Sequence, residues 1–174
     1  MALAVCLLFD SRGETAMRRL WDRLEDAGVP TLRSHTHGRH HPHLSYAVLL
    51  EWDLARVRAA LRPLPAAEPV TLSFHAVATF RRGRTWLVPG VTSALTLRQE
   101  RVYAALHGTG AVLHHHYGPG RWVPHCSLAP RARLEQLPAV TAVVNDVLPL
   151  TVTAERAALV DSATGTATPL PQLL

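Results

Sequence analysis

One short pattern occurs twice in this chain, as Pro42-His43-Leu44-Ser45 and as Pro124-His125-Cys126-Ser127, each at the head of an apolar run. The runs His41–Leu50 and Trp122–Ala129 have the length and composition of strands. Successive strand side chains point to opposite faces, so His43 and Ser45 share one face while Leu44 turns to the other. His125 and Ser127 share a face in the same way, with Cys126 turned inward. A proline before each histidine favours an extended approach and begins the strand where no backbone donor is needed. Each copy therefore calls for a two-sided strand, with core behind it and an imidazole beside a hydroxyl in front.

The spacing alone carries little weight. Chance gives about one or two His-x-Ser/Thr matches in a chain of this composition. A third match, His107-Gly108-Thr109, lies in a Gly-rich loop and is expected to fall outside any site. The shared proline, the shared strand context and the separation of about 80 positions set the other two apart.

At 174 residues the chain is long enough for one domain, or for two small lobes sharing a core. Its net charge of +5 comes with 18 basic residues, every one of them Arg. Arg suits phosphate recognition through its planar fork, so the charge fits a nucleotide partner. It does not demand one, because the Ala-, Leu-, Val- and Pro-rich composition also fits a GC-rich coding sequence. Cys6 and Cys126 both fall in apolar runs and are expected to be reduced core residues, which points to the cytoplasm. Ala2–Phe9 is too short to span a membrane and lacks a preceding basic region, so it is expected to be a first strand. No membrane association is expected, and the chain is expected to be a monomer.

The order of elements is strand Leu3–Phe9, then a helix capped by Asp10 or Ser11, with Glu14 placed for a capping box. Met17, Leu20, Trp21 and Leu24 form its apolar face, and Gly28 with Pro30 ends it. The first motif strand leads to a helix begun by Asp53, then to a hairpin of Val70–Phe80 and Thr85–Val91 around the turn Arg81–Arg84. A helix over about Thr92–Leu106, the second motif strand, a helix over about Leu134–Val147 and a strand near Thr151–Asp161 follow. Helix, His-x-Ser strand, helix and strand thus recur in each half. Strands joined by helices, with one clear hairpin, predict an α+β fold of largely antiparallel sheet.

In length, in its paired Pro-His-x-Ser motifs and in the Asp10 that closes its first strand, the chain resembles the 2H phosphoesterase superfamily, the 2′-5′ RNA ligase-like proteins. The resemblance covers nearly the whole of 1–174. It implies a single bilobed domain, two pseudo-symmetric lobes of antiparallel sheet with outer helices forming a central cleft, one motif on each wall. It also implies action on 2′,3′-cyclic phosphates, 2′-5′ linkages or related cyclic nucleotide phosphodiesters, without a cofactor or metal. The partner so implied is an RNA end or a nucleotide. Two departures stand out: both hydroxyls are Ser where Thr is common, and Pro130 intervenes before the basic Arg131.

Opening a cyclic phosphodiester with water needs a proton taken from the nucleophile and one given to the leaving ribose oxygen. Two histidines can do both near neutral pH. His125 is assigned as base and His43 as acid, the near-symmetry leaving the reverse open; Ser45 and Ser127 can donate to the non-bridging oxygens. Arg131 is a candidate phosphate contact, and Tyr46, Trp86 and Trp122 are candidate stacking partners for a base, although strand aromatics are usually core. Arg81, Arg82 and Arg84 could grip an RNA backbone, although a basic hairpin turn is more often simply solvated. Relatives forming 2′-5′ bonds would run the reverse reaction with exchanged roles. Two other classes compete. His35, His37, His40, His41 and His43, with His114–His116, could hold a metal, but no carboxylate or Cys sits among them and their spacing matches no zinc pattern. A protein that merely held RNA ends would have little need of two imidazoles.

Overall fold

The computed structural model describes residues 1–174 and has eight strands and four helices. In chain order these are β1 (Leu3–Phe9), α1 (Ser11–Asp26), β2 (His43–Glu51), α2 (Leu54–Leu61), β3 (Val70–Phe80), β4 (Arg84–Pro89) and α3 (Ser93–His107). There follow β5 (Val112–Leu113), β6 (Cys126–Ala129), α4 (Leu137–Asn145), β7 (Leu150–Asp161) and β8 (Ala167–Pro169).

Local chemistry accounts for most of the boundaries. The Asp10 carboxylate, not Ser11, caps α1 by accepting from Gly13 N at 2.9 Å. Glu14 makes no capping box; it pairs with Arg18 one turn on, at 2.8 Å. Asp53 and Thr92 cap α2 and α3 through their side chains, as their positions suggest. The last helix starts later than the apolar spacing implies. Pro138 has no N–H to give the Leu134 carbonyl, so Leu134–Gln136 winds as a 3-10 turn ahead of α4. The two-residue strand β5 and the short β8 are too brief for periodicity to reveal.

All eight strands form one antiparallel sheet in the order β5-β2-β1-β7-β3-β4-β6, with β8 added beside β7. The α+β architecture is the expected one, with the two halves sharing a continuous sheet. The long strand β7 joins them: its first residues pair with β3 and its later ones with β1. Helices α1 and α4 pack together against β1, β3 and β7, while α2 and α3 pack together, with α3 against β2.

The faces of the sheet are chemically distinct. Leu3, Val5, Leu7 and Phe9 enter the main core, together with Met17, Leu20, Trp21 and Leu24 of α1. Cys6 and Leu8 face the other way and form a small cluster with Ala158 and Val160 of β7. That second face, carrying His43 and Ser45, is where the motifs display their polar groups. The sheet curves enough that β2 and β6, far apart in strand order, contact each other. Gly83 fixes the hairpin turn: at φ +71° its built Cβ would lie 1.8 Å from the Ala132 carbonyl oxygen, and Ala132 N donates back to Gly83 O at 2.7 Å. This clamps the segment just past the second motif to the β3–β4 turn. No helix is long and apolar enough to cross a membrane.

Candidate active site

The two motifs meet, and the geometry of each repeats the other. His43 Nδ1–H donates to the carbonyl of His41 at 2.6 Å, and His125 Nδ1–H donates to the carbonyl of Val123 at 2.7 Å. A carbonyl can only accept, so both rings carry a proton on Nδ1 and have Nε2 left for a ligand. The orienting carbonyl is in each case two residues back, next to the proline. The X-Pro bend that begins each strand thereby also sets the tautomer of its histidine.

Their surroundings push the two imidazoles in opposite directions. Burial pulls His43 down, but the Cys6 sulfur beside it and the His41 carbonyl outweigh burial and raise it to about 9. Burial lowers His125, and the charge on His43 lowers it further against the opposing pull of the Val123 carbonyl. One imidazole is thus held protonated near neutral pH and the other neutral. The rings Phe80 and Trp86 surround His125 edge-on, at 5.2 and 5.5 Å between centroids, and stack on each other at 4.6 Å.

The hydroxyls differ in their neighbours. Ser45 is buried, with its Oγ 3.5 Å from Cys6 Sγ. The Tyr117 hydroxyl also faces it, and burial holds that phenol up at about 12, so it remains a donor. Ser127 is half-buried, and its hydroxyl makes no hydrogen bond within the protein. The backbone behind each hydroxyl is fastened: Trp122 Nε1 donates to Ser45 O at 3.0 Å, and Trp21 Nε1 to Ser127 O at 3.2 Å.

His43, Ser45, His125, Ser127 and Trp86 are therefore brought into one neighbourhood. Tyr46 is not, and its candidacy is corrected. It is fully buried, packs in the main core and donates its hydroxyl to the Leu174 carbonyl at 3.1 Å. The alternation that turns Ser45 outward turns Tyr46 inward. Trp86 is 7% exposed and its indole N–H is buried without a partner, so it borders the site by its edge beside His125 and its ring is already stacked on Phe80. Arg131 is exposed past the end of β6 and takes part in no ion pair. His107 ends α3 with its ring against Tyr103.

Residue reading missed three neighbours, Cys6, Phe80 and Tyr117, and left Arg84 only as part of a basic turn. Cys6 sits opposite Ser45 in the β1–β2 register, and its turn toward the polar face follows from β1 alternating about Val5 and Leu7. Phe80 and Tyr117 are found only once the sheet has curved. Arg84, the last residue of a basic turn, has its charge close enough to bear on both Tyr117 and His114. It lies two residues before Trp86 on β4 and so shares that residue's face.

Residues 12–166 match the 2′-5′ RNA ligase superfamily, and the chain belongs to that family of 2H phosphoesterases. No curated protein matches it by sequence. A crystal structure of a phosphoesterase is similar at 15% identity and TM-score 0.64, covering 99% of this chain and 98% of the other. Escherichia coli LigT complexed with 3′-AMP is 17% identical, with TM-score 0.62 over 97% of this chain and 94% of its own. Usb1 of Kluyveromyces marxianus with uridine monophosphate is 14% identical, with TM-score 0.53 over 98% of this chain and 97% of its own. At these identities the likeness establishes a shared fold.

Proposed function

We propose that the chain, acting as a single bilobed unit, hydrolyses a cyclic phosphodiester, the 2′,3′-cyclic phosphate of an RNA end or nucleotide, with His43 and His125 as its catalytic pair. The observation that carries this reading is the matched pair of Nδ1–carbonyl hydrogen bonds joined to opposite pKa shifts. His125, neutral, takes a proton on Nε2 from the attacking water. His43, protonated, gives its Nε2 proton to the ribose oxygen as the bond from phosphorus to that oxygen breaks. Ser127 and Ser45 donate to the non-bridging oxygens, where charge develops. Arg84 and Tyr117 add a cation and a donor on the same side. Trp86 borders His125 where a base or ribose would lie, and Arg131, exposed past the end of β6, remains a candidate phosphate contact.

The opposite environments of the two imidazoles support this division of roles. His43 carries the higher pKa and is the acid; His125 carries the lower one and is the base. Both proton transfers are supplied by imidazole, so the step needs no metal-bound water. Nucleotide complexes of structural relatives support the substrate class: LigT is seen with 3′-AMP and Usb1 with uridine monophosphate. The same groups with roles exchanged would form or cleave a 2′-5′ linkage.

The test is a product-resolved assay with excess chelator across cyclic mononucleotides, RNA ends bearing cyclic phosphate, ADP-ribose cyclic phosphate and 2′-5′ oligonucleotides. Ring opening of at least one cyclic phosphate to a single monoester is expected. Absence of turnover on all four, or turnover only with added metal, overturns the reading.

A further inference from the structure

We propose that His114, His115 and His116 form a binding site for one divalent transition-metal ion, separate from the motif histidines. His115 and His116 lie on the 3-10 turn His115–Tyr117 that follows β5, His114 caps that turn, and one ligand nitrogen from each comes within 4.8 Å of the others. A tetrahedral ion with imidazole bonds near 2.0–2.1 Å needs its nitrogens about 3.3 Å apart. His115 and His116 are exposed and can close that gap by side-chain rotation alone.

The turn itself is built and held. His114 N donates to Val48 O at 2.8 Å, Tyr117 N to His114 O at 3.0 Å, and Gly118 N to His115 O at 3.3 Å. Gln99, 2% exposed, donates its side-chain amide to both Tyr46 O and Tyr117 O, at 3.0 and 2.7 Å, and so anchors the turn to β2. Of the six ring nitrogens only His114 Nδ1 has a protein partner, the His116 amide at 3.4 Å. No carboxylate pairs with any of the three imidazoles.

The other histidine cluster is built differently. There His40 Nε2 bonds Thr36 Oγ1 at 3.0 Å, and His37 Nδ1 accepts the Arg39 amide at 3.0 Å. Those nitrogens hold a loop together, whereas those of His115 and His116 are free.

Three neutral imidazoles with no oxygen ligand suit zinc, nickel, cobalt or copper and do not suit magnesium or calcium. Three protein ligands leave a fourth position for water or an anion. Arg84, whose charge bears on His114, disfavours a bare cation and favours an anion in that position.

The experiment uses the metal-stripped, tag-free full chain. Zinc is titrated in competition with a chromophoric chelator, and cobalt is added separately to read its visible spectrum. One ion per chain at micromolar affinity or tighter is expected, with the intense absorption of a tetrahedral cobalt site. A His115→Ala/His116→Ala variant should bind at least about tenfold more weakly and lose the cobalt spectrum. A His35→Ala/His40→Ala variant should keep both. Equal affinity in wild type and the first variant, or loss of the ion in the second, overturns the proposal. Neither readout passes through turnover, so the outcome is independent of the hydrolytic reading.

Discussion

Trp122 Nε1 donates to the Ser45 carbonyl at 3.0 Å, so the segment entering the second motif is fastened to the backbone of the first. No sheet hydrogen bonds join β2 to β6. This indole therefore ties together two motif segments whose strands are not paired. Trp122→Phe keeps most of the packing and removes the donor. A net loss of about 0.5–1.5 kcal/mol in stability is expected, read as a lower melting temperature. Turnover should fall more than that loss implies, by between about tenfold and a hundredfold, since a small misplacement of reacting groups is costly. A variant with an unchanged rate would show that the tie does not set the site.

The opposite shifts of His43 and His125 fix the form of the pH profile. The productive state has His43 protonated and His125 neutral. Its population falls at high pH as His43, raised to about 9, loses its proton, and at low pH as His125, lowered below the ordinary histidine range, gains one. A bell with a broad top is expected, its alkaline limb near 9 and its acid limb below about 6.5. Cys6→Ser keeps the shape of the side chain and removes the sulfur that holds His43 up. Its alkaline limb should move down toward neutrality while the acid limb stays. An alkaline limb that does not move would mean that His43 is not its source.

Phe80 and Trp86 keep water from His125, and burial is the larger influence lowering it. Phe80→Ala opens one side of the ring. The His125 pKa should rise, so the acid limb should shift toward higher pH and activity at pH 6 should drop relative to pH 8. Imidazole resonances followed by NMR in the free protein give the same quantity directly. A fall in rate with no shift in the limb would assign Phe80 to substrate stacking instead.

Much of this site could be read from local pattern because its main parts are local. Alternation along a strand decides which way His43, Ser45, His125 and Ser127 point, and a proline decides where each strand begins. The same rule, applied one residue further, places Tyr46 in the core, 0% exposed. Taking it as a stacking partner gave weight to its residue type and neglected its parity. Tyr117, and its meeting with Arg84, could not be read in this way. They meet only because a sheet with β2 and β6 far apart in strand order curves until those strands touch, and curvature leaves no mark at the scale of a motif. The late start of α4 was open to view in Pro138, whose missing donor outweighs the apolar spacing around it.

His43→Ala and His125→Ala test the division of labour itself. Each removes one proton-transfer group, and such a group is worth about 10²–10⁴ in rate, so each variant should lose at least roughly a hundredfold in kcat on the best cyclic phosphodiester. Both groups act in one step, so the double variant should fall short of the product of the two single losses. Ser45→Ala and Ser127→Ala should cost less, since each removes one hydrogen bond to phosphate and leaves proton transfer intact. Between them Ser127→Ala should cost more, because Ser127 is free to donate whereas Ser45 has Cys6 and Tyr117 beside it. The pH profiles of the single variants distinguish the roles. His43→Ala should lose the alkaline limb and His125→Ala the acid limb, whichever residual rate is measured. The converse pattern would exchange acid and base, and near wild-type turnover in either variant would remove that histidine from the mechanism.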